Sequence, residues 1–223
     1  MMDLARTVSI VGFVCSFGLV AMLHILRTDL PPAAHRLSEY ANGPHGWMMT
    51  ASFVALGGGL LAMGVTLRTG RRTDKWALGV SALAFIAGAG TILSGIFPTG
   101  ASDSEESIHS PASALAVVAV VALALAHSIL SAHRRPWRTP DSTGTTLALI
   151  ALALAALSPL LHNTRWTGLS QRVLWIVLLS WLLRANWPRP AGSTPSVLVS
   201  RDDVSDEIHS GNSRASGLPE GGG

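Results

Sequence analysis

Apolar residues along the chain gather into six blocks, residues 8–26, 47–67, 76–97, 112–130, 145–161 and 168–187, and the stretches between them hold most of the charge. Each block is apolar all round rather than along one stripe, the pattern of a buried or membrane-spanning helix. At about 1.5 Å per residue, some 20 residues cross a hydrocarbon core of about 30 Å. Inside that core every backbone donor and acceptor must be satisfied within its own segment, and the blocks are far too long for barrel strands. The pattern therefore predicts an all-α fold, a polytopic transmembrane bundle of six helices over residues 1–187. Beyond Trp187 the chain turns to Pro, Gly, Ser and acids such as Asp202, Asp203, Asp206 and Glu207. Such a composition buries too little surface to offset its ordering entropy, so 188–223 is read as a disordered cytoplasmic tail.

Composition agrees, with 48% hydrophobic and 13% charged residues, the latter about half the share usual in a soluble domain. The net charge of +3 comes from arginines in short loops, not from a basic patch interleaved with aromatics, so nucleic acid is not an expected partner. Cys15 is the single cysteine, which excludes an intrachain disulfide and a cysteine metal cluster. The first block follows Asp3 and Arg6 without a prompt small-residue cleavage site, and is read as retained.

Basic residues of short loops favour the cytoplasm. Arg6, Arg68, Arg71, Arg72, Lys75, Arg134, Arg135, Arg138, Arg184 and Arg189 fall on one side, against Arg27, Arg36, Arg165 and Arg172 on the other. The expectation is a multi-pass protein of the cell membrane, with both termini cytoplasmic and the lipid bilayer as its partner; the sequence does not set an oligomeric state. Trp47, Trp76, Trp166 and Trp187 mark block edges, where an amphipathic ring prefers the headgroup zone. Small residues recur in blocks two and three (Gly57, Gly58, Gly59, Gly64; Ala84, Gly88, Gly95), which predicts a tight antiparallel hairpin.

Candidate chemistry concentrates on the non-cytoplasmic side. The connection 28–46 is long for a helical bundle. Pro31 and Pro32 suit a helix start, residues 33–41 are good helix formers and Asn42-Gly43-Pro44 is a stop, so a short surface helix is expected. On it His35 and Glu39 share one face, and Leu37 and Tyr40 share a neighbouring face that presses on the bundle. Arg172 lies six residues inward from Trp166, about 9 Å into the membrane zone. A guanidinium there is costly unless paired or facing a wet cavity, which marks a candidate site. Glu39 is its natural partner, with Asp29 second. The bland alternative is that Arg172 snorkels outward, or that an Arg172–Glu39 pair clamps the loop to the bundle. The sharper reading is a polar pocket under the loop, with Glu39, His35 and Asp29 as acid–base groups and Arg172, Gln171, Tyr40, Trp47 and Asn42 around a substrate.

His35, Glu39, His45, His109 and His162 share one side and are of types that bind zinc, but they are scattered over loops and form no His-Glu-x-x-His motif. Neither metal nor cofactor is expected. His24 and His127 read as packed histidines, Asp103, Glu105 and Glu106 as a solvated loop face, and Ser158-Pro159 as a kink.

The run His35-Arg36-Leu37-Ser38-Glu39-Tyr40-Ala41-Asn42-Gly43-Pro44-His45-Gly46-Trp47 resembles the first loop of the membrane-protein family known as domain of unknown function 998. Ile96-Phe97-Pro98-Thr99 and Gly168-Leu169-Ser170-Gln171-Arg172 are similar to two further pieces of that family. The likeness spans about residues 8–183 and implies a six-helix membrane protein of bacteria or archaea, without implying an activity. The family's pattern continues after Pro-Thr with Asp-Pro, where this chain has Gly100-Ala101.

Two functions follow as expectations. One is a membrane-embedded acid–base enzyme or binder for a lipidic or isoprenoid small molecule, for example a protonation-initiated terpenoid cyclase. A carboxylic acid kept protonated by burial would start that reaction, although pairing with Arg172 works against it. The other is a non-catalytic membrane accessory or small transporter component, for which the helix centres lack the acids and lysine that ion coupling uses.

Overall fold

A computed structural model describes residues 2–69, 75–100, 102–133, 142–161 and 164–187. The tail 188–223, His162 and the arginines at 71, 72, 134, 135, 138 and 189 lie outside the described residues, as does the composition-based reading of the tail. The described residues form six α-helices: α1 Met2–Leu26, α2 Gly46–Thr69, α3 Lys75–Ile96, α4 Asp103–His133, α5 Ser142–Leu161 and α6 Thr167–Asn186. A 3-10 helix, Leu37–Ala41, lies in the first connection. Five of the six are long and apolar enough to cross a membrane. The exception is α6, which carries Gln171, Arg172, Ser180 and Arg184 among its 20 residues. It is held against α1, α4 and α5 rather than by its own hydropathy.

Sequential helices pack side by side, and α6 returns to α1, so the bundle closes on itself. Small residues set the close contacts. A Cβ on Gly57 would stand 2.7 Å from the Gly88 carbonyl oxygen, and one on Gly88 would stand 2.8 Å from that of Gly57, so the expected α2–α3 hairpin is tight because neither position has a side chain. The α1–α2 contact is equally close, with Gly12 against the Ala55 carbonyl. Buried hydroxyls tie the same helices together. Ser16 and Ser52 bond at 2.8 Å between α1 and α2, and Ser81 donates to the Gly64 carbonyl at 2.8 Å between α3 and α2.

The start of α4 differs from the sequence reading. α4 begins at Asp103, nine residues before the apolar block, so Asp103, Glu105 and Glu106 form its first turn instead of a solvated loop face. The cause is legible afterwards: Ser102-x-x-Glu105 is a capping box, in which the Glu105 amide donates to the Ser102 hydroxyl oxygen at 3.2 Å. Pro159 stands in the last turn of α5, and the helix continues through it to Leu161. Trp47, Trp76, Trp166 and Trp187 are all exposed at helix ends, as an interfacial belt requires.

The connection 27–45, residues 97–100 and the start of α6 meet at one end of the bundle, because side chains and backbone of the first are bonded to the other two. We call this the loop end.

Candidate functional site

The loop end is built from the first connection laid over the open top of the bundle. After α1, Arg27 turns back under the loop and is buried to 7% exposure. Its Nε and Nη2 donate to the Asp29 carboxylate at 2.9 Å, and its Nη1 donates to the carbonyls of Asn42 and Pro44 at 2.7 and 3.2 Å. A guanidinium is a planar fork of donors, so one side chain ties both ends of the loop. The hydrogen bond from Arg27 holds the Asp29 carboxyl below the usual aspartate range. Asp29 is therefore occupied by Arg27, not by Arg172. Sequence reasoning counted Arg27 only toward topology.

Between those ends the chain makes a turn at 31–35 and then the 3-10 helix. A regular helix over 33–41 would need the Leu37 amide to donate to the Ala33 carbonyl. Both groups are instead taken by α6: the Leu37 amide donates to Gln171 Oε1 at 2.8 Å, and the Ala33 carbonyl accepts from the Leu169 amide at 3.1 Å. The His35 carbonyl likewise accepts from Arg172 Nη1 at 2.6 Å. Helical geometry starts only at Leu37, after Arg36 in extended conformation. The short helix of the first loop is thus present, but it is shorter than expected, and Leu37, Ser38 and Tyr40 are buried.

Arg172 is buried on α6, with Nε donating to His24 Nε2 at 2.8 Å and Nη1 donating to the carbonyls of His35 and Gly168. Its plane lies 5.3 Å from the centre of the Tyr40 ring, and its Nη2 is buried with no hydrogen-bond partner. The Tyr40 hydroxyl donates to the Leu30 carbonyl at 2.7 Å, and the ring also stacks on His24 at 5.2 Å. An arginine only donates, so the His24 Nε2 it meets must present a lone pair. The His24 proton then resides on Nδ1, which donates to the Val20 carbonyl 2.7 Å away.

The expected Arg172–Glu39 pair does not form. Glu39 Oε2 is 2.7 Å from His35 Nδ1, and both side chains are about one-third exposed on the outside of the loop. Glu39 is partly exposed beside the buried Leu37, Ser38 and Tyr40, and its carboxylate is engaged by His35 rather than by Arg172. His24, which the sequence reading set aside, takes the place assigned to Glu39. Asn42 donates through Nδ2 to the Thr99 carbonyl at 2.7 Å, joining the first and second connections. Trp47 is exposed and lies away from the interior. In the second connection Glu106 accepts from the Thr99 hydroxyl, the Gly100 amide and the Ser110 hydroxyl.

Beneath this roof lies a cavity of about 130 Å³ between α2, α3, α4 and α6. Leu37, Ser38 and Gln171 line it at the loop end, and its wall runs along α6 from Gln171 to Leu182, eleven residue steps or about 16 Å. The lining is mostly Leu, Val, Phe and Met side chains, and includes Trp175, which stacks on Phe17 at 5.8 Å. His109 is the single titratable residue among those that line it. It is buried to 5% exposure, sits edge-on to Phe53, and its Nδ1 bonds to the carbonyls of Ser94 and Phe97 at 2.9 and 2.8 Å. The sequence reading placed His109 on a loop, because it started the helix nine residues too late. Among the described residues no group of three His, Cys, Asp or Glu side chains is arranged to hold a metal ion.

Three separated pieces of sequence therefore assemble one layer: 35–47 forms the roof, 96–99 receives Asn42, and 168–172 supplies the bonds beneath it. Gly168 is needed there, since a Cβ would stand 2.3 Å from the His35 carbonyl oxygen and 2.4 Å from that of Pro32. Comparison with curated proteins and with solved structures gives no significant match. The family model described as protein of unknown function DUF998 matches residues 10–187, which takes in all three pieces, α2 to α6 and most of α1. The chain belongs to the DUF998 family.

Proposed function

We propose that this membrane protein binds a single-chain lipidic molecule, an alkyl or isoprenyl chain, in the cavity beneath the 27–45 loop. The observation that carries this reading is the shape and lining of the cavity. A dry, apolar hole of about 150 Å³ in a protein interior takes up a guest the size of benzene. Here 130 Å³ lies along about 16 Å of α6 and is open on one side, so it takes up the end of a single chain whose remainder extends out of the cavity. The volume is also below the roughly 300–1,000 Å³ of pockets that enclose a whole drug-sized ligand. No carboxylate lines the cavity, so a cyclase started by a buried carboxylic acid is not favoured. In this reading Arg172, Tyr40, Asn42 and Asp29 hold the roof, and of the polar residues singled out from sequence Gln171 faces the guest.

The test compares lipids extracted from purified wild-type protein and from Ala116→Phe and Val120→Phe, which fill the cavity from α4. A chain lipid enriched over the surrounding membrane in the wild type and lost from both variants is the expected result. The same lipid profile in all three would sink the reading.

Acid–base chemistry at the loop end is a second reading, favoured by the 2.7 Å contact of His35 with Glu39. The pair stands on the outer surface of the roof, so its substrate would approach from the headgroup zone. Metabolite and lipid profiles of cells carrying Glu39→Gln that match those of the wild type would remove it.

A further inference from the structure

The polar groups of the cavity are unevenly spent, and their pattern specifies the head of the guest. In the wall, Thr91 donates to the Ala87 carbonyl, Ser94 to the Gly90 carbonyl and Ser113 to the Ser110 carbonyl. Each hydroxyl has used its one proton and retains only lone pairs. Both hydrogen bonds of His109 are made by Nδ1 to carbonyl oxygens, which only accept, so Nδ1 carries a proton, and in that tautomer Nε2 is an acceptor. At the roof the balance reverses. Gln171 Oε1 is taken by the Leu37 amide, which leaves the Gln171 NH₂ group as a donor.

A guest head that both donates and accepts matches this arrangement, whereas one that only accepts leaves His109 Nε2 unsatisfied in an apolar site. A carboxylate would face the lone pairs of the wall without a cation lining the cavity, and an ammonium would have no anion there. We infer that the site takes a neutral long-chain alcohol, its O–H donated to His109 Nε2 and its oxygen accepting from the Gln171 amide. This assignment rests on the chain-binding reading above and adds the chemical class of the head.

The test uses wild-type protein in lipid nanodiscs with decan-1-ol, methyl nonyl ether and undecane, at matched mole fraction in the bilayer. Binding is read from the emission of Trp175, which lines the cavity, against a Trp175→Phe control. Leaving a buried acceptor unsatisfied costs enough that the alcohol is expected to bind about 5- to 50-fold more tightly than the ether. His109→Phe keeps an aromatic ring and loses that preference while still taking up the hydrocarbon chain. Equal binding of alcohol and ether by the wild type overturns the alcohol assignment and leaves chain binding in place; binding of none of the three overturns both. The alcohol–ether comparison needs only the wild-type protein, so it decides the proposal even if His109→Phe does not fold.

Discussion

Arg172 on the last helix and His24 on the first, 148 positions apart, share a hydrogen bond of 2.8 Å that closes the bundle beneath its roof. The contact fixes three things together: the proton of His24 on Nδ1, the plane of the guanidinium over Tyr40, and the aim of Nη1 at the His35 carbonyl. Arg172→Leu removes all of them and leaves buried acceptors unpaired, an expected loss of about 2–4 kcal/mol. His24→Phe keeps the ring and strands only the Arg172 Nε–H, an expected loss of about 1–3 kcal/mol. Unfolding of the two variants in mixed micelles checks this order. Equal, small losses in both would show that Arg172 reaches water instead.

Gly168 allows the carbonyls of Pro32 and His35 to lie against the start of α6. Gly168→Ala places a methyl group where the roof now sits, so the 31–37 turn has to lift and its bonds to Leu169, Gln171 and Arg172 loosen. The α6 helix itself gains, since alanine is the better helix former by about 1 kcal/mol. Hydrogen exchange should therefore rise at the Leu37 and Leu169 amides and not at Trp181 or Leu182. Unchanged exchange at Leu37 would show that the roof tolerates the added methyl group.

The pairing of Arg27 with Asp29 predicts a pH dependence of fixed sign. Asp29 has a folded-state pKa lowered by its hydrogen bond from Arg27, so folding favours the carboxylate. The stabilisation is fully present above the unfolded value of about 3.9 and is lost as pH falls through the lower folded value. Asp29 is exposed, so the effect is small and weakens with salt. The difference in thermal midpoint between wild type and Asp29→Asn should stay constant near neutral pH and close below about pH 4. A difference that widens on acidification would contradict the pairing.

The distribution of arginines along the sequence predicts cytoplasmic termini, and labelling checks this directly. With Cys15 replaced by serine, a cysteine at exposed Ser107, at the loop end, should react with a membrane-impermeant maleimide in intact cells. One at Lys75, at the opposite end, should react only after the cells are opened. The reverse pattern would place both termini outside.

Helix number and type were legible in the sequence, because for five of the six segments solvation by hydrocarbon acts on the segment by itself and demands about 20 apolar residues; α6 is the exception, whose polar residues are accommodated by its neighbours. The tight α2–α3 hairpin was legible for a similar reason, since small residues permit close approach wherever they stand. What only the tertiary structure decided were the partners. Glu39 was a reasonable mate for Arg172 by charge, yet Arg172 binds His24 and backbone carbonyls, because docking the loop brought those acceptors closer. Residues 33–37 had good helix propensity, yet α6 took the hydrogen bonds a helix would have used. Each such choice turns on about 1 kcal/mol between competing partners, which no local pattern records and the assembled bundle settles at once. His109 entered the picture the same way, as a loop residue by sequence and a cavity residue once Ser102 and Glu105 capped α4 nine residues earlier.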